Sequence, residues 1–206
     1  MYRCDNSSIF SRSGPCDHFD PCGSMFVVFR KPSATLPPAT SGNWPDLAVL
    51  GELAGPWTVH FEARWGGPES AQFDRLESWT RRAEPGVKYY SGTAVYRKTF
   101  SLAAPVGTKT FLDLGDVREL AEVKVNGRSC GIVWTPPFRV DITGALKAGE
   151  NALEIEVVNF WPNRIIGDQF LAPGARFTRT NIRQLKKTTP LMESGLLGPV
   201  RLLSEK

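Results

Sequence analysis

The stretch Asn151–Asp168, NALEIEVVNFWPNRIIGD, gathers the side chains best suited to chemistry. Asn159, Trp161, Asn163, Arg164 and Asp168 supply amides, an indole, a guanidinium and a carboxylate close together. An aromatic face packs on the apolar C–H face of a pyranose, while the polar groups fix its hydroxyls. Trp134, Tyr89 and Tyr90 would add stacking surfaces, and Trp79 stands near the two tyrosines in sequence. The same residues admit a structural reading. Arg164 and Asp168, four apart, can pair with each other. Trp161 can plug the end of a sandwich, and Asn163 can satisfy backbone groups.

Hydrolytic catalysis finds less support. Two carboxylates in a cleft would stand about 5–5.5 Å or 6.5–9.5 Å apart. Glu154 and Glu156, two apart on a strand, would be about 6.5–7 Å apart. They alternate with Leu153, Ile155 and Val157, which assigns them to a solvent face, so no catalytic residue is expected here. Asp113, Asp116 and Asp141 sit at strand ends and read as turn or capping residues. His18 and His60 are the only histidines, and no Gly-x-Ser-x-Gly elbow accompanies them. Cys4, Cys16, His18 and Cys22 match no common zinc spacing. A disulfide there needs an oxidising compartment. An irregular tail with free thiols is expected instead, and no metal ligand is assigned.

Composition bounds the partners. The chain has 206 residues, 41% hydrophobic and 22% charged, ordinary for a globular protein. The net charge is +4. The densest basic run is Arg176, Arg179, Arg183, Lys186 and Lys187, expected as a solvated loop rather than a contact for an anionic polymer. No recognition helix, zinc-finger spacing or RNA-binding signature points to nucleic acid. No segment reaches the ~18 apolar residues of a membrane span, and the N-terminus lacks a signal peptide's apolar core.

The elements that would hold these side chains are short strands. Residues 1–50 read as an irregular N-terminal segment with one strand over 24–30 and a Pro-rich linker, and residues 51–206 as a β-sandwich. Trp57, Val59 and Phe61 alternate. Residues 65–92 form a long polar segment, in which Phe73, Leu76 and Trp79 have the spacing of a helical turn. Strands follow over 93–100, 110–114, 121–125, 129–134, 138–142 and 151–158, and Gly198–Leu203 closes the sheet. Asn126-Gly127 is the strongest hairpin signal, and Thr143 is placed to cap a helical turn. Residues 159–168 are expected as a loop at the sandwich rim. Frequent turn signals and the lack of a long helix make this all-β: an antiparallel β-sandwich, a jelly roll. A βαβ rhythm is absent, which excludes TIM-barrel and Rossmann architectures.

Ordered motifs sharpen the fold. They are Gly92-Thr-Ala-Val-Tyr-Arg97, Leu112-Asp-Leu-Gly-Asp-Val117, Val123-Lys-Val-Asn-Gly127 and Gly131-Ile-Val-Trp134. Pro137-Phe-Arg-Val-Asp-Ile-Thr143, Gly149-Glu-Asn-Ala-Leu153, Val158-Asn-Phe-Trp161 and Ser194-Gly-Leu-Leu-Gly-Pro-Val-Arg-Leu202 follow. The series resembles the sugar-binding, galactose-binding-like jelly-roll domain of family 2 glycoside hydrolases. The run Asn159–Asp168 is similar to the C-terminal domain of family 106, α-L-rhamnosidase-like enzymes. Residues 23–30 resemble the last strand of the domain that precedes it there. The resemblance covers roughly residues 50–204. It implies catalytic carboxylates on a separate barrel, and for this chain a non-catalytic carbohydrate-binding or accessory role. The alternatives are a purely structural domain that buttresses the barrel, or a loop donor to its active site. Implied partners are an oligo- or polysaccharide and a catalytic hydrolase domain, with neither nucleic acid nor membrane. The implied location is secreted or periplasmic. No cofactor is required. Such modules often carry a structural calcium, whose ligands no D-x-D-x-D loop here identifies.

Overall fold

The structure, a computed structural model, describes residues 46–103, 109–181 and 183–206. The expected strand over 24–30 and the cysteines and histidine of the tail lie outside the described residues.

Two antiparallel sheets face each other. The larger has the order β3-β2-β4-β10-β7-β8. It is built from β2 (Trp57–Phe61), β3 (Ser70–Phe73), β4 (Thr93–Leu102), β7 (Leu120–Val125), β8 (Arg128–Val133) and β10 (Gly149–Val158). The smaller, ordered β1-β12-β5-β9, joins β1 (Leu47–Glu52), β5 (Thr110–Asp113), β9 (Arg139–Asp141) and β12 (Arg201–Glu205). A ribbon of β6 (Asp116–Arg118) and β11 (Gly195–Gly198) stands beside them. β1 pairs with β12, so the sandwich includes Leu47–Glu52, ahead of the boundary expected at residue 51.

The alternating pattern of β10 makes it central. Leu153, Ile155 and Val157 are buried in a core shared with Trp57, Val59, Tyr96, Leu112 and Ile142. The opposite face carries charges. Glu154 lies opposite Arg97 and accepts its Nε–H at 3.0 Å, while Glu156 accepts from Lys124 Nζ at 2.6 Å. These are cross-strand pairs on a wet sheet face. β7 and β8 join through Asn126 and Gly127, both at positive φ (52° and 78°), the conformation of a type I′ hairpin.

Two of the three strand-end acids take turn roles, whereas Asp116 instead accepts from Arg118 Nη2 at 2.9 Å. Asp113 Oδ1 accepts from Gly115 N, and Asp141 Oδ1 accepts from Thr143 N. Thr143 is not a cap. It opens the 3-10 turn Thr143–Ala145, and its hydroxyl accepts from Thr110 N at 2.8 Å.

Two expected elements differ. The turn over Phe73, Leu76 and Trp79 does not form. Phe73 ends edge strand β3, buried beneath Arg82, whereas Trp79 opens a separate 3-10 turn, Trp79–Arg81. The three-residue spacing came from two elements laid end to end. A short helix α1 (Pro85–Lys88) completes the segment. The rim loop at 159–168 is mostly helix: α2 spans Pro162–Asp168. Pro162 sits in its first turn, where its fixed φ suits a helix and its missing N–H costs nothing.

Candidate functional site

The register of β4 against β10 builds the site. Val158 lies opposite Thr93, so the chain entering β4 and the chain leaving β10 run side by side. Asn159 bridges them. Its Nδ2 donates to Tyr90 O and its Oδ1 accepts from Gly92 N, both at 3.0 Å. Ser91 adds a second bridge: its hydroxyl donates to Phe160 O at 2.9 Å and accepts from Arg164 N at 3.1 Å.

α2 then ties in the C-terminal segment. Asn163 Nδ2 donates to Met192 O (2.7 Å) and Ser194 Oγ (2.9 Å), and its Oδ1 accepts from Met192 N (2.9 Å). Arg164 and Asp168 form a buried pair, with Nε 3.0 Å from Oδ1 and each side chain 4% exposed. The approach is off-angle for a directed hydrogen bond, so the contact is chiefly one of charge. Burial pulls the Arg164 guanidinium below its ordinary value, and Asp168 opposes that pull. Asp168 Oδ2 also accepts from Thr178 N (2.7 Å) and Thr178 Oγ1 (2.6 Å), and the guanidinium lies 4.9 Å over the Phe177 ring.

The polar residues singled out from the sequence are therefore brought together, but facing inward. Asn159, Asn163, Arg164 and Asp168 are all buried and engaged by the protein itself. Tyr90 is a core residue. It packs edge-on against Phe61 and Trp79, and its hydroxyl donates to Thr93 O at 2.7 Å. Trp79 is equally buried, and its indole donates to Tyr96 Oη at 2.6 Å. Neither ring belongs to an open stacking wall. Tyr89 is half-buried against Phe170, with centroids 5.5 Å apart.

What α2 leaves outside is aromatic. Phe160 is 55% exposed, Phe170 51%, Trp161 42% and Phe177 38%. Trp161 meets Trp65 edge-on at 4.8 Å. Trp134, 72% exposed, directly follows β8 at the same end of the sheet, two strands from β10, or about 10 Å by strand spacing. Sequence reasoning missed Ser91, Thr178, Phe177 and Trp65. Their partners lie far along the chain, so no local spacing marks them. Among the described residues, no group of three or more His, Cys, Asp or Glu side chains gathers to hold a metal.

A fold of this topology has known counterparts. Residues 79–169 match the family described as the glycosyl hydrolase 2 galactose-binding domain-like family. This segment is a galactose-binding-like domain of glycoside hydrolases. A putative β-glucuronidase of Formosa agariphila is 39% identical over 176 residues, 73% of this chain and 15% of that protein. The solved rhamnosidase of Novosphingobium sp. PP1Y is 41% identical, with a TM-score of 0.74 over 82% of this chain and 16% of its own. A β-D-glucuronidase of Dictyoglomus thermophilum shares the fold at 20% identity, with a TM-score of 0.55 over 79% of this chain and 29% of its own. The chain thus spans about 15% of the length of the curated relative it matches. The galactose-binding-like domain here is mostly antiparallel sheet, as its motifs imply. Among the described residues, no helix is long and apolar enough to cross a membrane.

Proposed function

We propose that the chain is a non-catalytic accessory domain of an α-L-rhamnosidase-like glycoside hydrolase, and that its α2 end packs against that enzyme's catalytic portion. One observation carries the reading: the polar side chains of the α2 region are consumed internally, while Phe160, Trp161, Phe170 and Phe177 are left on the outside. Exposed aromatics flanking one short element in this way mark an interaction surface. Glu154 and Glu156, the carboxylates two apart on β10, are held by Arg97 and Lys124 on a sheet face. A secreted or periplasmic location accompanies this reading, and fractionation of native cells tests it.

The test mixes the 206-residue chain with a Novosphingobium rhamnosidase from which the matching domain has been deleted. Co-elution is expected, and F160S/F170S should weaken it while leaving the circular dichroism unchanged. Equal association of the variant would sink the docking role. Turnover of an aryl-glycoside by the pure chain would overturn the non-catalytic reading.

A second reading, carbohydrate binding, is favoured by Trp134, whose indole is 72% exposed. Titration with neutral oligosaccharides distinguishes it: binding lost in W134A or W161A supports a stacking platform.

A further inference from the structure

Arg176, Arg179, Arg183, Lys186 and Lys187 are exposed, as a solvated loop requires, and four of them border one hollow. The described residues of this run lie against α2 and, with it, line an open hollow of about 530 Å³. That size lies within the range of small-ligand sites. Ile165, Pro173 and Leu185 give it apolar lining. Arg176, Arg179, Arg183 and Lys186 line it too, and all four are exposed. None of the four forms an ion pair with a described residue.

Asp168 is the one carboxylate in the lining, and its charge is already engaged by Arg164 and Thr178. The hollow therefore presents several cations and no free anion. The wall is tied to α2 on both sides of the hollow. Thr178 is bound to Asp168, and Gln169 Nε2 donates to Leu185 O, so the loop is fastened to α2 at two separated points.

We propose that this hollow is a subsite for an anionic saccharide unit, one bearing a carboxylate or a sulfate ester. Both groups present the same oxyanion face to a guanidinium fork, and both gain from cations converging on a concave surface. The apolar lining suits the C–H face of the sugar ring. A flat acidic protein face would use the cations but has no need of the hollow. The assignment of the anion to a saccharide rests on the glycoside-hydrolase reading above.

Calorimetric titration of the 206-residue chain tests it, with trigalacturonic acid, a sulfated galactose trisaccharide and neutral galactotriose as probes. One or both acidic probes should bind saturably and more tightly at low salt, and the neutral probe should not. Which acidic probe binds separates carboxylate from sulfate. R179E/R183E should weaken binding about tenfold or more. K187E makes the same kind of charge reversal on the Phe170 ring, outside the lining, and should have a much smaller effect. The proposal fails if neither acidic probe binds, or if K187E weakens binding as much per charge as R179E/R183E. It also fails if R179E/R183E instead abolishes association with the domain-deleted rhamnosidase and no oligosaccharide binds. The Phe160/Phe170 experiment is independent of these outcomes, so the hollow can fail while the accessory reading stands.

Discussion

Arg164 and Asp168 each have two demands to meet inside α2. The guanidinium must be neutralised by Asp168 and covered by Phe177, and the carboxylate must also hold Thr178. Removing one partner leaves the other charge buried without its counter-ion. Arg164→Met should therefore cost about 3–5 kcal/mol of unfolding free energy, measured by urea denaturation. Replacing both residues with apolar ones should cost less than the single change, because no isolated charge remains. A single variant as stable as the parent would show that Asp168 reaches solvent. The same inward bonding explains why the polar half of the expected ligand cluster serves as bracing. Trp161, in the same run, stays 42% exposed although its ring meets the partly buried Trp65 edge-on.

At the scale of the element, α2 is too short to stand alone. A seven-residue helix is marginal in water, and no side chain caps its start. Tertiary contacts hold it instead, and they are close. A Cβ at Gly167 would lie 2.5 Å from both Tyr89 Cβ and Arg164 Nη2. Gly167→Ala should therefore cost about 1–3 kcal/mol by overpacking, although alanine is the better helix former. Thermal melting checks this, and a stabilised variant would mean that α2 can slide away from Tyr89. The edge element β3 makes the complementary point. Its strand state depends on pairing with β2, which no pattern within residues 70–73 announces.

Across the whole molecule, two buried phenols join the larger sheet to its surroundings. Tyr90 Oη binds Glu62 N and Thr93 O. Tyr96 Oη accepts from Trp79 Nε1 and Leu196 N, linking β4 to β11. Burial pushes Tyr90 up to about 12 and raises Tyr96 as well, against the hydrogen bonds that favour ionisation. The folded state holds both neutral. Their contribution is thus fully present below the unfolded phenol value of about 10 and is lost as pH rises through the folded values. For Tyr90 the loss falls between about pH 10 and about 12. Tyrosinate absorbance and circular dichroism should change together in this alkaline window. Ionisation of all four tyrosines near pH 10 with the fold intact would contradict it.

Strand alternation, the Asn126-Gly127 hairpin and the ordered motifs were legible from residues alone, because each depends on neighbours two to four positions away. They determined an antiparallel sandwich, the central place of β10 and the solvent face of Glu154 and Glu156. The side on which Asn159–Asp168 turns was not legible. It depends on Ser91, Thr178, Met192 and Ser194, which reach the cluster only after β4 has paired with β10 and the C-terminal segment has returned. Amides and charged groups read the same on paper whether they meet a sugar or a backbone carbonyl. Only the tertiary structure decided that these meet the backbone and each other, leaving the aromatics and the basic hollow as the open surfaces.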